Sequence, residues 1–135
     1  MAVEAGIYHI YCLENDQQQH FYPGQPGNPL MCGPQPGKGV PLEVIHLHGD
    51  TYTIKSSGFP IGVNGGFGSG VPLEVDAQHV EWDITPARNG CYNIKYGKDD
   101  LLWSRLSGPP VPLPVVLEPS QGESRQQWHF ERAEE

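Results

Sequence analysis

Three basic residues lie in short segments stiffened by glycine and proline, where a side chain can be presented to a partner protein. Arg88 lies in the link Thr85–Gly90, Arg125 ends the polar stretch that begins at Ser120, and Lys38 lies between glycines. A loop already close to its bound shape loses little conformational entropy on binding. A basic side chain on such a loop would suit the primary pocket of a trypsin-like protease. The competing interpretation of each residue is an ordinary solvated charge.

The other chemically suggestive residues do not assemble an enzyme. Gly68-Ser69-Gly70 matches part of a nucleophile elbow, but it lies in a hairpin tip and not between a strand and a helix. The glycine-rich stretch around it lacks the Lys-Ser/Thr ending of a phosphate-binding loop. His46 and His48 are two positions apart and could share a face, but no third metal ligand is evident. We therefore expect no catalytic activity, no cofactor and no metal.

One short phrase occurs three times and indicates the scaffold that carries these loops. Its copies are Tyr8-His9-Ile10, Tyr52-Thr53-Ile54 and Tyr92-Asn93-Ile94. Side chains at i and i+2 of a strand point to the same face, so each phrase predicts a strand with one buried face. A period of about 40 residues indicates an internal repeat.

Each repeat contains three further short apolar runs, which together predict four strands per repeat and twelve in all. The first run after the Tyr-x-Ile phrase is Phe21-Tyr22, Ile61–Val63 and Leu102-Trp103 in the three repeats. The second run is Pro29–Met31, Pro72–Val75 and Pro114–Leu117. The third is the apolar pair Leu42/Val44, Trp82/Ile84 and Trp128/Phe130. Three four-strand units predict an all-β fold, the β-trefoil, with a six-stranded barrel capped by three hairpins. A propeller would need about four or more blades.

The chain is expected to form a single domain, with repeats at about 6–48, 49–88 and 89–133. We predict a polar loop at Glu14–Gln19 and hairpin tips at Pro23–Asn28, Gly65–Gly70 and Ser107–Pro112. Binding residues usually lie on loops that a rigid scaffold holds in place. The loops differ among the repeats, so function is expected there.

Composition narrows the possible partners and location. The formal charge of −8 argues against a nucleic-acid or anionic-membrane surface. No apolar run is long enough for a membrane span, and the N-terminal segment lacks the features of a secretory signal, so a cytoplasmic location is expected. The 3 cysteines, an odd number at unmatched spacings, predict buried thiols in a reducing compartment.

With the repeats aligned, the chain resembles the fungal β-trefoil serine protease inhibitors typified by cospin. The resemblance covers nearly the whole chain and is carried mostly by strand residues: Gly6-Ile7-Tyr8-x-Ile10, Gly49–Lys55, Pro60–Val63, Val80–Ile84, Leu102-Trp103, Pro114–Pro119 and Gln127–Glu131. It implies a β-trefoil fold and reversible, substrate-like inhibition of a trypsin-like or subtilisin-like serine protease.

The resemblance also implies particular loops. In the family, a protease-binding arginine lies on the loop between the second and third strands, which corresponds here to Gly24–Asn28. That segment has no basic residue, so Gln25 and Asn28 would contact a protease that is not trypsin-like. Related fungal trefoils use the loop before the last strand, which carries Arg125. Plant Kunitz-type trefoils use a link whose equivalent one repeat later carries Arg88.

A sugar-binding trefoil of the ricin-B type is the main alternative. Gln126-Gln127-Trp128 satisfies the Gln-x-Trp signature of that family, although the other two repeats lack it. The resemblance implies a glycan site in the third repeat, with Asp99 or Asp100 accepting hydroxyl hydrogen bonds. Trp103 would be the stacking platform and Gln126 a further pocket residue. A storage or interaction protein without either activity is the third possibility.

Overall fold

The structure is a computed structural model that describes residues 3–14, 16–34, 37–76, 80–97, 99–106, 112–122 and 124–133. No helix in these ranges is long and apolar enough to span a membrane. The described part of the chain contains thirteen strands and two short 3-10 turns, at Arg88–Gly90 and Ser124–Gln126. The strands are β1 (Gly6–Glu14), β2 (Gln17–Phe21), β3 (Met31–Gly33), β4 (Leu42–His48), β5 (Thr51–Ser56), β6 (Phe59–Gly62), β7 (Glu74–Val75), β8 (Trp82–Pro86), β9 (Tyr92–Tyr96), β10 (Leu101–Ser104), β11 (Leu113–Pro114), β12 (Val116–Glu118) and β13 (His129–Arg132).

Six strands close into a barrel through antiparallel pairing in the order β1, β4, β5, β8, β9 and β13, and β13 returns to β1. Within each repeat, the tyrosine of the first strand pairs with an apolar residue that begins the last strand or, in the third repeat, directly precedes it. These pairs are Tyr8 with Leu42, Tyr52 with Trp82, and Tyr92 with Trp128. The predicted Tyr-x-Ile strands are confirmed, since Ile10, Ile54 and Ile94 are all buried.

The hairpin cap is joined at its centre by a closed ring of three backbone hydrogen bonds. Leu30 N donates to Leu73 O (2.9 Å), Leu73 N to Val115 O (2.9 Å), and Val115 N to Leu30 O (3.0 Å). Each residue comes from the Pro-apolar run of a different repeat, and each is completely buried. The ring lies where a threefold axis would relate the repeats. This arrangement is that of a β-trefoil.

Aromatic side chains fill the barrel beneath this cap. Trp103 meets Trp82 and Trp128 edge to face, at centroid distances of 5.5 and 6.3 Å, and Phe21 stacks on Trp128 at 5.4 Å. Two indoles donate hydrogen bonds to carbonyls of the second strand of their own repeat: Trp82 Nε1 to Ile61 O (3.1 Å) and Trp128 Nε1 to Trp103 O (3.0 Å). Each aromatic ring pair adds about 0.5–1.5 kcal/mol of stabilisation beyond the burial of its surface area.

The prediction of a polar loop at Glu14–Gln19 was wrong. Strand β1 extends to Glu14, and β2 begins at Gln17 and pairs with it. Polar side chains in this strand bond to neighbouring groups: His20 Nε2 lies 2.9 Å from Gln18 Oε1, and Gln19 Nε2 donates to Gln17 O at 3.3 Å. Most of the predicted third hairpin tip, residues 107–111, lies outside the described ranges.

The three cysteines lie inside the molecule. Cys12, Cys32 and Cys91 are all buried, and they form no disulfide. Burial raises the pKa of each thiol above its usual value. All three are therefore protonated at neutral pH, which makes them weak nucleophiles.

Candidate functional site

The link between the second and third repeats, residues 86–91, is a closed turn with Arg88 at its tip; we call it the Arg88 link. Ala87 N donates to Cys91 O at 2.8 Å, and Cys91 N donates to Arg88 O at 3.0 Å. Ala87 is extended, with φ −120° and ψ −155°, and Gly90 takes φ +75°, a value that favours glycine. Two hydrogen bonds across five residues fix the backbone on both sides of Arg88. The basic side chain is exposed and forms no ion pair with a described residue.

A second segment, described at residues 119–122 and 124–127, lies beside this link; we call it the Gln126 loop. The Gln126 side chain is 1% exposed and all its polar atoms are used. Its Nε2 donates to Ser104 Oγ (3.0 Å) and to Pro119 O (2.9 Å), and its Oε1 accepts from Gln121 N (2.8 Å). The loop is also fixed from outside, because Cys12 Sγ donates to Ser124 O at 3.1 Å. These four hydrogen bonds, one of them buried, therefore fix the described part of the loop.

A pocket of about 160 Å³ opens between the Arg88 link and the Gln126 loop. Its largest apolar lining side chain among the described residues is Leu102 of β10, which is 2% exposed. The described residues that line the pocket are Ala87, Arg88, Asn93, Leu102, Ser120, Gly122, Gln126 and Gln127. The described lining residues contain one cation and no carboxylate. Of the residues singled out in the sequence, this pocket brings Arg88 and Gln126 together.

The other two basic candidates are tied to carboxylates. Lys38 Nζ lies 2.5 Å from Glu131 Oε1, and this hydrogen bond holds the pKa of the Glu131 carboxyl below its usual value. Arg125 is 22% exposed, pairs with Glu118 and also donates to Gln121 Oε1. Either side chain would have to leave its partner before it could enter a protease pocket. Arg88 carries no such cost within the described structure.

The tip between β2 and β3 is also a fixed turn. Asn28 N donates to Gln25 O at 3.0 Å, with Gly27 at φ +88°. The second repeat holds the tip, since Gly27 N donates to Val75 O (2.8 Å) and Val75 N to Asn28 O (3.0 Å). Gln25 and Asn28 are exposed. The tip therefore presents polar, uncharged side chains on a rigid backbone, on a different loop from Arg88.

The residues expected for a ricin-B-type sugar site are arranged differently from that expectation. Trp103 is completely buried among other aromatic rings, so it cannot be a stacking platform. Gln126 lines the pocket, but its amide is committed to internal hydrogen bonds. Asp99 and Asp100 are exposed, and Asp100 Oδ2 accepts from Ser120 N at 3.1 Å. Neither aspartate lines the pocket.

The sequence analysis missed Asn93, Ser120 and Gln127 of the pocket. Asn93 lies between Tyr92 and Ile94, so the strand alternation that identified those residues also places Asn93 on the opposite, outward face. Ser120 and Gln127 belong to a loop without periodicity, and no pattern in the sequence distinguishes them from other polar loop residues.

A cysteine–histidine contact occurs at the start of the third repeat, where Cys91 Sγ lies 3.2 Å from His129 Nε2. Burial raises the pKa of the Cys91 thiol and lowers the pKa of the His129 imidazole. Both groups are therefore neutral at pH 7, whereas a nucleophilic pair needs a thiolate. Within the described ranges no three metal-ligating side chains form a cluster. His46 Nε2 instead donates to Gly49 O at 2.9 Å.

No protein-family model matches the sequence, and no curated protein matches it. Several solved structures resemble the chain over almost its whole length. The Rhizoctonia solani agglutinin is 16% identical with a TM-score of 0.79, over 98% of this chain and 99% of its own. A Macrolepiota procera ricin B-like lectin, solved with lactose, is 22% identical with a TM-score of 0.76, over 97% and 99%.

A proteinase inhibitor from Coprinopsis cinerea is also similar, at 15% identity and a TM-score of 0.69, over 97% of this chain and 99% of its own. Similarity at these identities establishes the fold and leaves the activity open. The chain is a β-trefoil, and its structural neighbours include fungal lectins and a proteinase inhibitor.

Proposed function

We propose that this β-trefoil is a protein inhibitor of trypsin-like serine proteases, and that the Arg88 link occupies the active-site cleft of the target. The observation that carries the proposal is the closed Arg88 link, in which two backbone hydrogen bonds bracket an exposed arginine. A fixed link loses little ordering entropy when it binds. A guanidinium at its tip matches the aspartate in the primary pocket of trypsin.

Two further observations support Arg88 over the other basic residues. Lys38 and Arg125 are held by carboxylates, so inserting either one requires breaking an ion pair. The structural similarity to a proteinase inhibitor of the same fold is consistent with this use of a loop. For a target that is not trypsin-like, the rigid tip carrying Gln25 and Asn28 is the contact we propose.

The alternative of a ricin-B-type lectin has weaker support at the residues expected for it. Its platform would be Trp103, which is 0% exposed, and its glutamine is internally bonded. Similarity to lectins of this fold keeps the alternative open. A glycan array run with the wild-type protein provides the direct comparison.

The test is a titration of active trypsin with the purified protein, read as residual hydrolysis of a small arginine amide substrate. We expect stoichiometric loss of activity. Arg88→Ala should weaken inhibition by about 30-fold or more, the effect of losing a central binding residue worth about 2 kcal/mol. Arg88→Phe should no longer inhibit trypsin and should inhibit chymotrypsin instead, because the primary pocket of chymotrypsin is a hydrophobic slot.

Arg132→Ala is the matched control, because Arg132 is an exposed arginine at a strand end, with its side chain 54% exposed. This variant should inhibit as well as wild type. A protein that leaves trypsin, chymotrypsin and subtilisin fully active would refute the proposal, and a specific glycan signal from the same sample would favour the lectin. Equal inhibition by wild type and Arg88→Ala would rule out the Arg88 link.

A further inference from the structure

The described lining of the pocket between the Arg88 link and the Gln126 loop favours an anionic ligand, because it holds a cation and no carboxylate. Arg88 is the charged residue among its described lining, although the chain as a whole carries a formal charge of −8. Asp100 touches the Gln126 loop from outside this lining, and its Oδ2 already accepts from Ser120 N. A carboxylate in the pocket would therefore meet a guanidinium, with which it can form paired hydrogen bonds.

The pocket also has uncommitted hydrogen-bonding groups. Asn93 and Gln127 are half-buried, and neither their side-chain amides nor the Ser120 hydroxyl bonds to any described residue. Amides and hydroxyls both donate and accept, so they suit a ligand that carries several hydroxyl groups. Gln126 cannot bind the ligand in this way, but its three bonds fix the wall from which its neighbours project.

The volume of the pocket and its apolar lining residue Leu102 limit the ligand further. At about 160 Å³ the pocket is well below the roughly 300 Å³ at which drug-sized sites begin. It therefore suits a single small ring. The small exposed part of the Leu102 side chain can contact a C–H group of such a ring.

From this combination of charge, hydrogen bonding and size we propose that the pocket binds a small polyhydroxy carboxylate of the hexuronic acid class. Arg88 pairs with the carboxylate, while Asn93, Ser120 and Gln127 bind the ring hydroxyls. The proposal does not rest on protease inhibition, although both use Arg88. It also differs from the sugar site expected from the sequence, since neither Asp99, Asp100 nor the buried Trp103 takes part.

The experiment is an NMR titration of the ¹⁵N-labelled protein, without any protease, at constant ionic strength. The probes are sodium D-glucuronate, D-glucose, which lacks the charge, and sodium acetate, which lacks the ring. We expect saturable shifts of the backbone amides of Ala87, Asn93 and Gln127 with glucuronate. Glucose and acetate should each bind at least about tenfold more weakly, since each lacks one set of contacts.

Two variants assign the contacts. Arg88→Gln should weaken glucuronate binding by about tenfold or more and leave glucose binding unchanged, because it removes the charge from an exposed side chain. Arg132→Gln, which removes an arginine outside the pocket, should bind glucuronate as wild type does. Thermal melts of both variants verify that each is folded.

Three results would overturn the proposal. Equal affinity for glucose and glucuronate would mean that the carboxylate is not recognised. Equal affinity for acetate and glucuronate would mean that the pocket does not recognise the ring. The absence of saturable shifts at the pocket up to about 50 mM glucuronate, a range that covers millimolar dissociation constants, would mean that the pocket does not take this class of ligand.

Discussion

His20 of β2 is 2% exposed, and one of its ring nitrogens, Nδ1, has no hydrogen-bond partner within the described structure. Burial lowers the pKa of His20, and the neighbouring His9 and Lys38 lower it further, while Glu131 acts in the opposite direction. The folded protein therefore favours the neutral imidazole. Protonation would add a second donor at a site that offers it no acceptor.

The consequence is a pH-dependent stability. Below the ordinary histidine pKa of 6.5, the unfolded chain binds more protons at this position than the folded one. The His20 contribution to the free energy of unfolding is thus fully present above pH 6.5 and decreases as the pH falls toward the lower folded pKa. Urea unfolding at pH 7.5 and 5.5, followed by tryptophan fluorescence, measures this decrease.

Replacing His20 tests how much of the pH-dependent loss of stability comes from this residue. His20→Gln should lose less stability than wild type between the two pH values, whereas His48→Gln, a change at an exposed histidine, should show the wild-type loss. His129 has a pKa lowered by burial as well, so some pH dependence will remain in His20→Gln. An unchanged loss in His20→Gln would show that His20 does not titrate as inferred.

The sequence places Trp103 and Gln126 near each other in the third repeat but does not show which way they face. Alternation identifies the buried face of a strand only when one face is exposed, and all four residues of Leu101–Ser104 are buried. A tryptophan in such a run is equally compatible with a core position and a binding platform. In the structure Trp103 packs against Trp82 and Trp128, which places it in the core.

At the scale of elements, the Gln126 loop depends on one side chain. Gln126→Ala would remove the partner of the Pro119 carbonyl and of the Gln121 amide, and one of the two hydrogen bonds of the buried Ser104 hydroxyl, which also donates to Leu102 O. Each buried polar group left unsatisfied costs about 1–3 kcal/mol, and solvent can reach part of this loop. We expect the free energy of unfolding to fall by about 2 kcal/mol, measured by urea denaturation at pH 7.5.

The adjacent residue provides the control for this change. Gln127 is half-buried and its side chain bonds to no described residue, so Gln127→Ala should change stability by less than about 0.5 kcal/mol. A Gln126→Ala protein as stable as Gln127→Ala would contradict the structural role of the buried amide. In that case the Gln-x-Trp signature would need a different explanation.

Strands with apolar alternation could be predicted from the sequence, and a strand built from polar residues could not. Tyr52 and Ile54 mark β5 because both are buried on one face. The segment Gln17–His20 of β2 carries no apolar residue. Its stability as a strand comes from pairing with β1 and from side-chain hydrogen bonds to groups two residues away. Those contacts exist only after the chain has folded.

For the whole molecule, the fold was predictable because the same physical pattern is repeated three times, so that a weak signal in one repeat is supported by the other two. The residues that line the pocket do not follow this threefold pattern. The pocket is formed by the Arg88 link, β9, β10 and the Gln126 loop, each contributing one to four residues. The sequence analysis located Arg88 from local loop chemistry, and only the barrel geometry shows that Asn93 and Gln127 lie beside it.

The ring of hydrogen bonds joining Leu30, Leu73 and Val115 has a consequence for amide hydrogen exchange. Each residue is both donor and acceptor in the ring, so releasing one amide proton means separating two of the three repeats. Opening of this kind has a free energy close to that of global unfolding. The three amides, which are far apart in the sequence, should therefore exchange with deuterium together, at the slowest rate in the protein and with the denaturant dependence of complete unfolding. A faster rate at any one of them would show that its repeat can detach while the other two stay folded.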